Sequence, residues 1–125
     1  KMLLQESGEM YLETILLLSK KLAVVRSIDV SEQMGYSKPS VSRAVGLLKD
    51  GGYLEVGADG ALKLTKKGYE TASKVYSRHT ALKAFLEEIG VSPDTAEADA
   101  CKIEHVISDE TYLRVQEYIK KLSEQ

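Results

Sequence analysis

Tyr53-Leu54-Glu55-Val56 and Ala61-Leu62-Lys63-Leu64 are two short alternating runs on either side of Gly57-Ala58-Asp59-Gly60. Apolar and polar residues alternating with period two around an Asp-Gly turn specify a β-hairpin. The rest of the chain has helical spacing, so the fold is constrained to a mainly α architecture with one small ribbon set between helices.

The helices can be read in order. Met10, Ile15, Leu18 and Leu22 recur at helical spacing, with Tyr11 and Leu16 widening the stripe, which predicts a first helix from about Ser7 to Leu22. A short second helix runs from Ser27 or Ile28 to Met34, with Val30 and Met34 facing inward and Gly35 just past its end. In Tyr36-Ser37-Lys38-Pro39-Ser40, Ser37 can cap and Pro39 falls in a first turn, where its missing N–H costs nothing. The third helix reaches about Asp50, buries Val41, Val45 and Leu48, and stops at Gly51-Gly52. After the hairpin, Thr65 caps a long fourth helix running towards Ile89 and ended by Gly90, with Gly68 a weak point in its first turn. Ser92-Pro93-Asp94 opens a fifth helix to about Ile107, and Ser108-Asp109-Glu110 opens a sixth towards Leu122. The order is α-α-α-β-β-α-α-α.

A chain of 125 residues can bury one core, or two small ones sharing a long element. There is no repeat and no Pro/Gly-rich linker. No apolar run approaches the roughly 20 residues of a membrane span, and the polar stretch Lys1 to Glu9 does not read as a secretory signal. The single cysteine excludes an internal disulfide framework and suits a reducing compartment. The expected location is cytoplasmic, with no membrane partner. The net charge of −2 conceals a division: residues 1–80 hold 12 Lys/Arg against 9 Asp/Glu, and residues 81–125 hold 5 against 10. One part suits polyanions and the other suits cations.

Two short helices joined by a tight turn and followed directly by a hairpin describe a winged helix-turn-helix. The second helix of such a pair presents its N-terminal end to the major groove of double-stranded DNA. Here that end offers Ser37, Lys38, Pro39, Ser40, Ser42 and Arg43. Hydroxyls meet phosphate or base edges, and Arg binds guanine through two hydrogen bonds. Arg43 is therefore the expected base reader, with Ser37, Lys38 and Ser42 as positioning contacts. Lys63 and Lys66 are expected to reach flanking phosphates from the wing and from the start of the next helix. The plainer alternative is that Ser/Pro marks a helix start and the lysines form a solvated face.

In the fifth helix Cys101, Glu104 and His105 stand at i, i+3 and i+4, so all three are expected to project from one face. Thiolate, carboxylate and imidazole on one stripe make half a shell for a divalent transition metal. Against that reading, a lone Cys can be a small buried hydrophobe, and Glu and His at helical spacing can simply face water. The only other histidine is His79, on the fourth helix.

Three segments in this order, Glu9-Met10-Tyr11-Leu12-Glu13-Thr14-Ile15, Ser37-Lys38-Pro39-Ser40-Val41-Ser42 and Cys101 through Glu110, resemble the diphtheria-toxin-repressor family of iron- and manganese-dependent bacterial transcriptional repressors. The likeness covers essentially the whole chain. It implies a winged helix-turn-helix DNA-binding domain (1–72) followed by a helical metal-binding and dimerisation domain (73–125), with a regulatory metal site between them. On the matching positions Met10 joins Cys101, Glu104 and His105 in a primary site, and His79 matches a ligand of an ancillary one. Sulfur at Met10 and Cys101 resembles the iron branch, since the manganese branch carries carboxylates there. Soft donors and resemblance agree on Fe(II), while Mn(II), Zn(II), Co(II) and Ni(II) can occupy such a site in vitro. This chain departs from the iron branch at Lys83, where an ancillary Glu is expected, and at Glu97, where a second His is expected. His79 and Glu97 are left as a weakened ancillary pair, and Glu13 aligns with a manganese-branch ligand. The chain also stops where many members continue into an SH3-like domain, so it is read as either a short form or a truncated one.

The resemblance implies a homodimer binding a palindromic operator under metal control. Its rivals are a manganese-responsive member of the same family and a metal-independent winged-helix regulator answering to a small organic ligand. An enzyme using Cys101 and His105 as nucleophile and base is not expected, because neither an oxyanion donor nor a third orienting group is evident.

Overall fold

The computed structural model describes residues 6–124. The sequence-based reading of the first five positions falls outside the described residues. The chain forms two compact units, residues 1–73 and 74–125.

The first unit contains α1 (Glu6–Ser19), α2 (Ser27–Met34), α3 (Lys38–Asp50), β1 (Leu54–Val56), β2 (Leu62–Leu64) and the first turns of α4 (Lys66–Glu88). Its core joins Leu12, Ile15, Leu16 and Leu18 of α1 to Val30 of α2, to Val41, Val45 and Leu48 of α3, to Leu54 and Leu62 of the strands, and to Ala72 of α4. Leu12, which the sequence stripe omits, is completely buried; a leucine so enclosed contributes about 1.5–3 kcal/mol. Conversely, α1 stops short of Leu22. Lys20 and Lys21 N–H donate to the carbonyls of Leu17 and Leu18 at 3.2 and 2.9 Å, tightening the last turn to i→i−3 bonding. Leu22 is thereby left 39% exposed rather than inside.

Local chemistry sets the other boundaries of this unit. The backbone N–H of Arg26 donates to the Asp29 carboxylate at 2.8 Å at the start of α2, and Gly35 closes that helix in the left-handed region at φ 72°. The Ser37 hydroxyl accepts from the Ser40 N–H at 3.3 Å at the start of α3. The hairpin pairs Leu54 with Leu64, Glu55 with Lys63 and Val56 with Leu62. Each strand is one residue shorter than its sequence run, because Tyr53 and Ala61 bond outside the ladder: Tyr53 N–H donates to Leu48 O, and Ala61 N–H donates to the Asp59 side chain.

The wing is fastened at both ends. Leu62 N–H donates to Val25 O at 2.8 Å, and Arg26 Nε donates to Asp59 O at 3.2 Å. At the other end, Thr65 caps α4 by accepting from Gly68 N–H at 3.1 Å and also donates its hydroxyl to Gly52 O at 2.6 Å. Gly68 is no weak point. A Cβ there would stand 2.0 Å from the backbone oxygen of Tyr53, so glycine is what allows α4 to lie against the start of the hairpin.

The second unit holds the remainder of α4 with α5 (Pro93–Ile103) and α6 (Asp109–Ser123). Its buried apolar residues are few: Val75, Ala81 and Leu82 of α4, and Ala96 and Ala100 of α5. The fifth helix ends at Ile103, not Ile107. Ser108 must be extended (φ −74°, ψ 160°) to cap α6 by accepting from Thr111 N–H. The chain therefore leaves the helical ladder beforehand, with Val106 and Ile107 N–H both donating to Ile103 O. No residue of α6 is buried. Tyr112, Val115, Ile119 and Leu122 are half-buried along it, and Leu113 and Tyr118 are exposed.

Gly68→Ala is expected to destabilise the first unit by about 1–3 kcal/mol, the usual cost of overpacking against atoms that cannot give way. Thermal unfolding beside the neutral exposed variant Ser42→Ala checks this; equal midpoints would overturn the account of the wing's attachment.

Candidate metal centre and nucleic-acid interface

Within the second unit the donors centre on Glu104. As the residue following α5 it keeps helical backbone angles, and its N–H donates to Ala100 O. Its side chain is 1% exposed. One carboxylate oxygen lies 3.5 Å from His79 Nδ1, and the other lies 3.4 Å from His105 Nε2. Neither oxygen receives a hydrogen bond from the described residues. A buried carboxylate normally collects hydrogen bonds or a charge partner, because leaving it bare costs several kcal/mol. His79 Nδ1 and His105 Nε2 beside that carboxylate bring together the kinds of donor atom that a divalent cation takes.

His79 also reaches outward, with Nε2 2.8 Å from the Glu97 carboxylate. Lys83, one turn further along α4, is paired with Glu87 at 2.5 Å. That hydrogen bond holds the Lys83 ammonium above the ordinary lysine range; partial burial opposes it, and the charges of Glu87, Glu97 and Asp94 reinforce it. A lysine kept protonated beside His79 and Glu97 is no ligand and repels a cation arriving there.

Of the predicted ligand stripe, Cys101 lies on α5, Glu104 is the helical C-cap residue that follows it, and His105 lies on the turn after that. Cys101 is half-buried, and no close trio of ligand-type atoms including its thiol occurs among the described residues. The His105 side chain is 1% exposed. In the first unit, Met10 and Glu13 are both half-buried on α1.

On α3 the side chains expected to meet DNA are nearly all outside. Ser37, Lys38, Pro39, Ser42 and Arg43 are exposed and Ser40 is half-buried, while Val41, Val45 and Leu48 take the inner face. Ser40 is partly occupied at home, accepting a hydrogen bond from the Ser37 hydroxyl at 2.9 Å. Lys63 and Lys66 are exposed. Beside the start of α3 a shallow depression is lined by Tyr11, Tyr36, Ser40, Arg43 and Leu47. The Tyr11 and Tyr36 rings stand 6.0 Å apart. Burial, and secondarily Tyr36, pushes the Tyr11 phenol above its ordinary range. Sequence reasoning missed this tyrosine pair, because the partners are far apart in the chain and neither carries a charge at neutral pH.

Glu104→Gln is expected to leave the metal-free protein at least as stable as the parent, since it replaces a buried carboxylate that receives no hydrogen bond from the described residues. Thermal unfolding in the presence of chelator checks it. A large loss of stability would mean that the carboxylate is satisfied by the protein alone.

Comparison with known proteins adds to this geometry. Residues 3–62 match the model of the iron dependent repressor, N-terminal DNA binding domain. Residues 65–125 match that of the iron dependent repressor, metal binding and dimerisation domain. The chain is 30% identical over 123 residues to an HTH-type transcriptional regulator of Methanocaldococcus jannaschii, covering 97% of this chain and 98% of the other. It is 31% identical to the diphtheria toxin repressor of Corynebacterium diphtheriae, covering 96% of this chain but 54% of that longer protein. The solved structure of the manganese regulator SloR superposes with a TM-score of 0.81 at 28% identity, covering 95% of this chain and 55% of that one.

Proposed function

This chain belongs to the iron-dependent repressor family, and from that premise we propose that it is an Fe(II)-responsive repressor binding palindromic operator DNA as a homodimer. The observation that carries the metal part is Glu104, a carboxylate 1% exposed whose two oxygens accept no hydrogen bond from the described residues. Its neighbours His79 and His105 are borderline donors that suit a first-row divalent ion. The proposed primary ligands are Met10, Cys101, Glu104 and His105. His79 with Glu97 is a secondary position weakened by Lys83. A divalent cation bound there supplies the positive charge that the buried carboxylate lacks.

The chain's own residues do the rest. Glu104 and His105 sit on the turn between α5 and α6, so holding their side chains fixes that turn and the start of α6. Val41, Val45 and Leu48 anchor α3 from behind, leaving Arg43 to read a base and Ser37, Lys38, Pro39, Ser40 and Ser42 to set the register on phosphates and base edges. Lys63 and Lys66 flank them as phosphate contacts. We place the DNA-binding domain at 1–72 and the metal-binding and dimerisation domain at 73–125. An amphipathic α6 with no buried residue and with Leu113 and Tyr118 exposed supports the second domain as the place where two copies meet. A two-fold dimer then matches half-sites about one or a few helical turns apart. None of the described helices is long and apolar enough to cross a membrane, and a regulator that binds operator DNA would work in the cytoplasm.

Thioether and thiolate among the ligands favour Fe(II) over Mn(II), with Zn(II), Co(II) and Ni(II) able to substitute in vitro. The manganese reading draws on Glu13 and on the likeness to SloR.

Operator binding measured by fluorescence anisotropy under anaerobic conditions is expected to tighten at least tenfold with Fe(II), more than with Mn(II), and to lose that response in Cys101→Ala. Equal affinity with and without either metal would establish the metal-independent regulator instead. Arg43→Ala is expected to relax discrimination by about 1–3 kcal/mol at one base pair. Lys63→Ala should weaken all DNA alike and lower the salt slope by about one; the opposite pattern would displace the proposed reading face. Leu113→Asp is expected to turn the dimer into a monomer in sedimentation, and an unchanged dimer would move the interface elsewhere.

A further inference from the structure

Arg78 stands on α4 one residue before His79, and its side chain is 12% exposed. Its partners lie on one short stretch of chain. Nη1 donates to the carbonyl oxygens of Glu104 and Ile107, each at 3.4 Å. Nη2 donates to the Asp109 carboxylate. The guanidinium carbon lies 5.2 Å from the centre of the Tyr112 ring. Lys74 Nζ adds a weaker hold on the same Asp109 oxygen at 3.8 Å.

The Glu104 carbonyl follows directly on the end of α5, where a helix leaves C=O groups without partners inside the helix, and the Ile107 carbonyl directly precedes the Ser108 cap of α6. Asp109 opens α6, where its charge suits the positive end of the helix. One guanidinium therefore ties the finish of α5 to the start of α6, and the residues held in between include Glu104 and His105. Only arginine combines a planar fork for several oxygens with a flat face for an aromatic ring; lysine brings the charge but neither the fork nor the plane.

We propose that Arg78 is the positioning residue of the cation site, gripping the backbone of the Glu104–Asp109 turn so that the Glu104 carboxylate is held buried between the two imidazoles. The inference rests on the metal reading above. It concerns a residue that touches no ligand atom and acts through the main chain. Groups that orient metal ligands are commonly worth 10–100-fold in affinity, and that is the scale expected of Arg78.

The test is an anaerobic Co(II) titration of the full chain, read both as a dissociation constant and as the visible ligand-field spectrum, for the parent, Arg78→Lys, Arg78→Met and Arg114→Met. The last removes an exposed arginine of α6 that pairs with Glu117 at 3.0 Å. Unfolding of each metal-free variant is followed in parallel. Arg78→Lys and Arg78→Met are expected to bind Co(II) at least tenfold more weakly and with a shifted band, while Arg114→Met keeps the parental values. Arg78→Lys retains the positive charge near Asp109, so it is expected to keep most of the metal-free stability without recovering the affinity or the band. A purely architectural role gives the reverse: Arg78→Lys with parental affinity and spectrum, which overturns the proposal. If Arg78→Met does not fold, Arg78→Lys decides the matter alone. A parent protein that takes up no Co(II) overturns the metal reading itself, an outcome visible before any variant is made.

Discussion

A carboxylate that receives no hydrogen bond from the described residues, buried between two imidazoles, is a strong unmet demand among them. Burying a charge is costly, and proteins accept it where something compensates. Glu104 is 1% exposed, and its oxygens lie 3.5 Å from His79 Nδ1 and 3.4 Å from His105 Nε2. The turn that carries it is correspondingly well made: carbonyls capped by Arg78, an N-cap at Ser108, a paired Asp109. A carboxylate short of hydrogen bonds from the described residues thus sits in a turn whose backbone is well tied.

The unit that holds the helix-turn-helix and the hairpin is built on the opposite principle, with little left unsatisfied. Helix α3 is capped at its start, seated on three buried aliphatic residues and stopped by Gly51 and Gly52. The hairpin behind it is fastened to the segment before α2 and to the first turn of α4. Exposed serines and basic residues stand on the outer side of that well-bonded frame. Electrostatics agrees with this division of labour, since the basic excess falls in residues 1–80 and the acidic excess beyond them.

Much of this architecture is legible in the order of residues alone. Val41, Val45 and Leu48 recur with the helical period and are all buried, because in a short two-layered unit periodicity and burial are nearly the same thing. The hairpin is legible from alternation and its turn. Boundaries are less so: α1 ends early at a 3₁₀-like turn and α5 ends early because Ser108 must be free to cap α6, and in each case the deciding hydrogen bonds involve residues outside the periodic run. Glu104 and His105 are legible as donor types but not as members of a turn. Gly68 reads as a flaw by helix propensity alone, and only the Tyr53 carbonyl reveals its purpose. Arg78 is not legible at all. Its partners include main-chain oxygens 26 and 29 residues away, and a main-chain oxygen looks the same under every side chain.

The fastening of the wing has a thermodynamic meaning. Leu62 is bonded to Val25, Asp59 to Arg26 and Thr65 to Gly52, so the hairpin is already immobilised relative to α3. A surface arranged in advance surrenders little chain entropy when it docks. Its calorimetric signature on an operator would be that of rigid association, with a heat-capacity change matching the apolar area covered rather than the larger change of a segment that folds as it binds. Sequence preference would then include, beside any direct base contact, how willingly a given DNA bends to fit the protein.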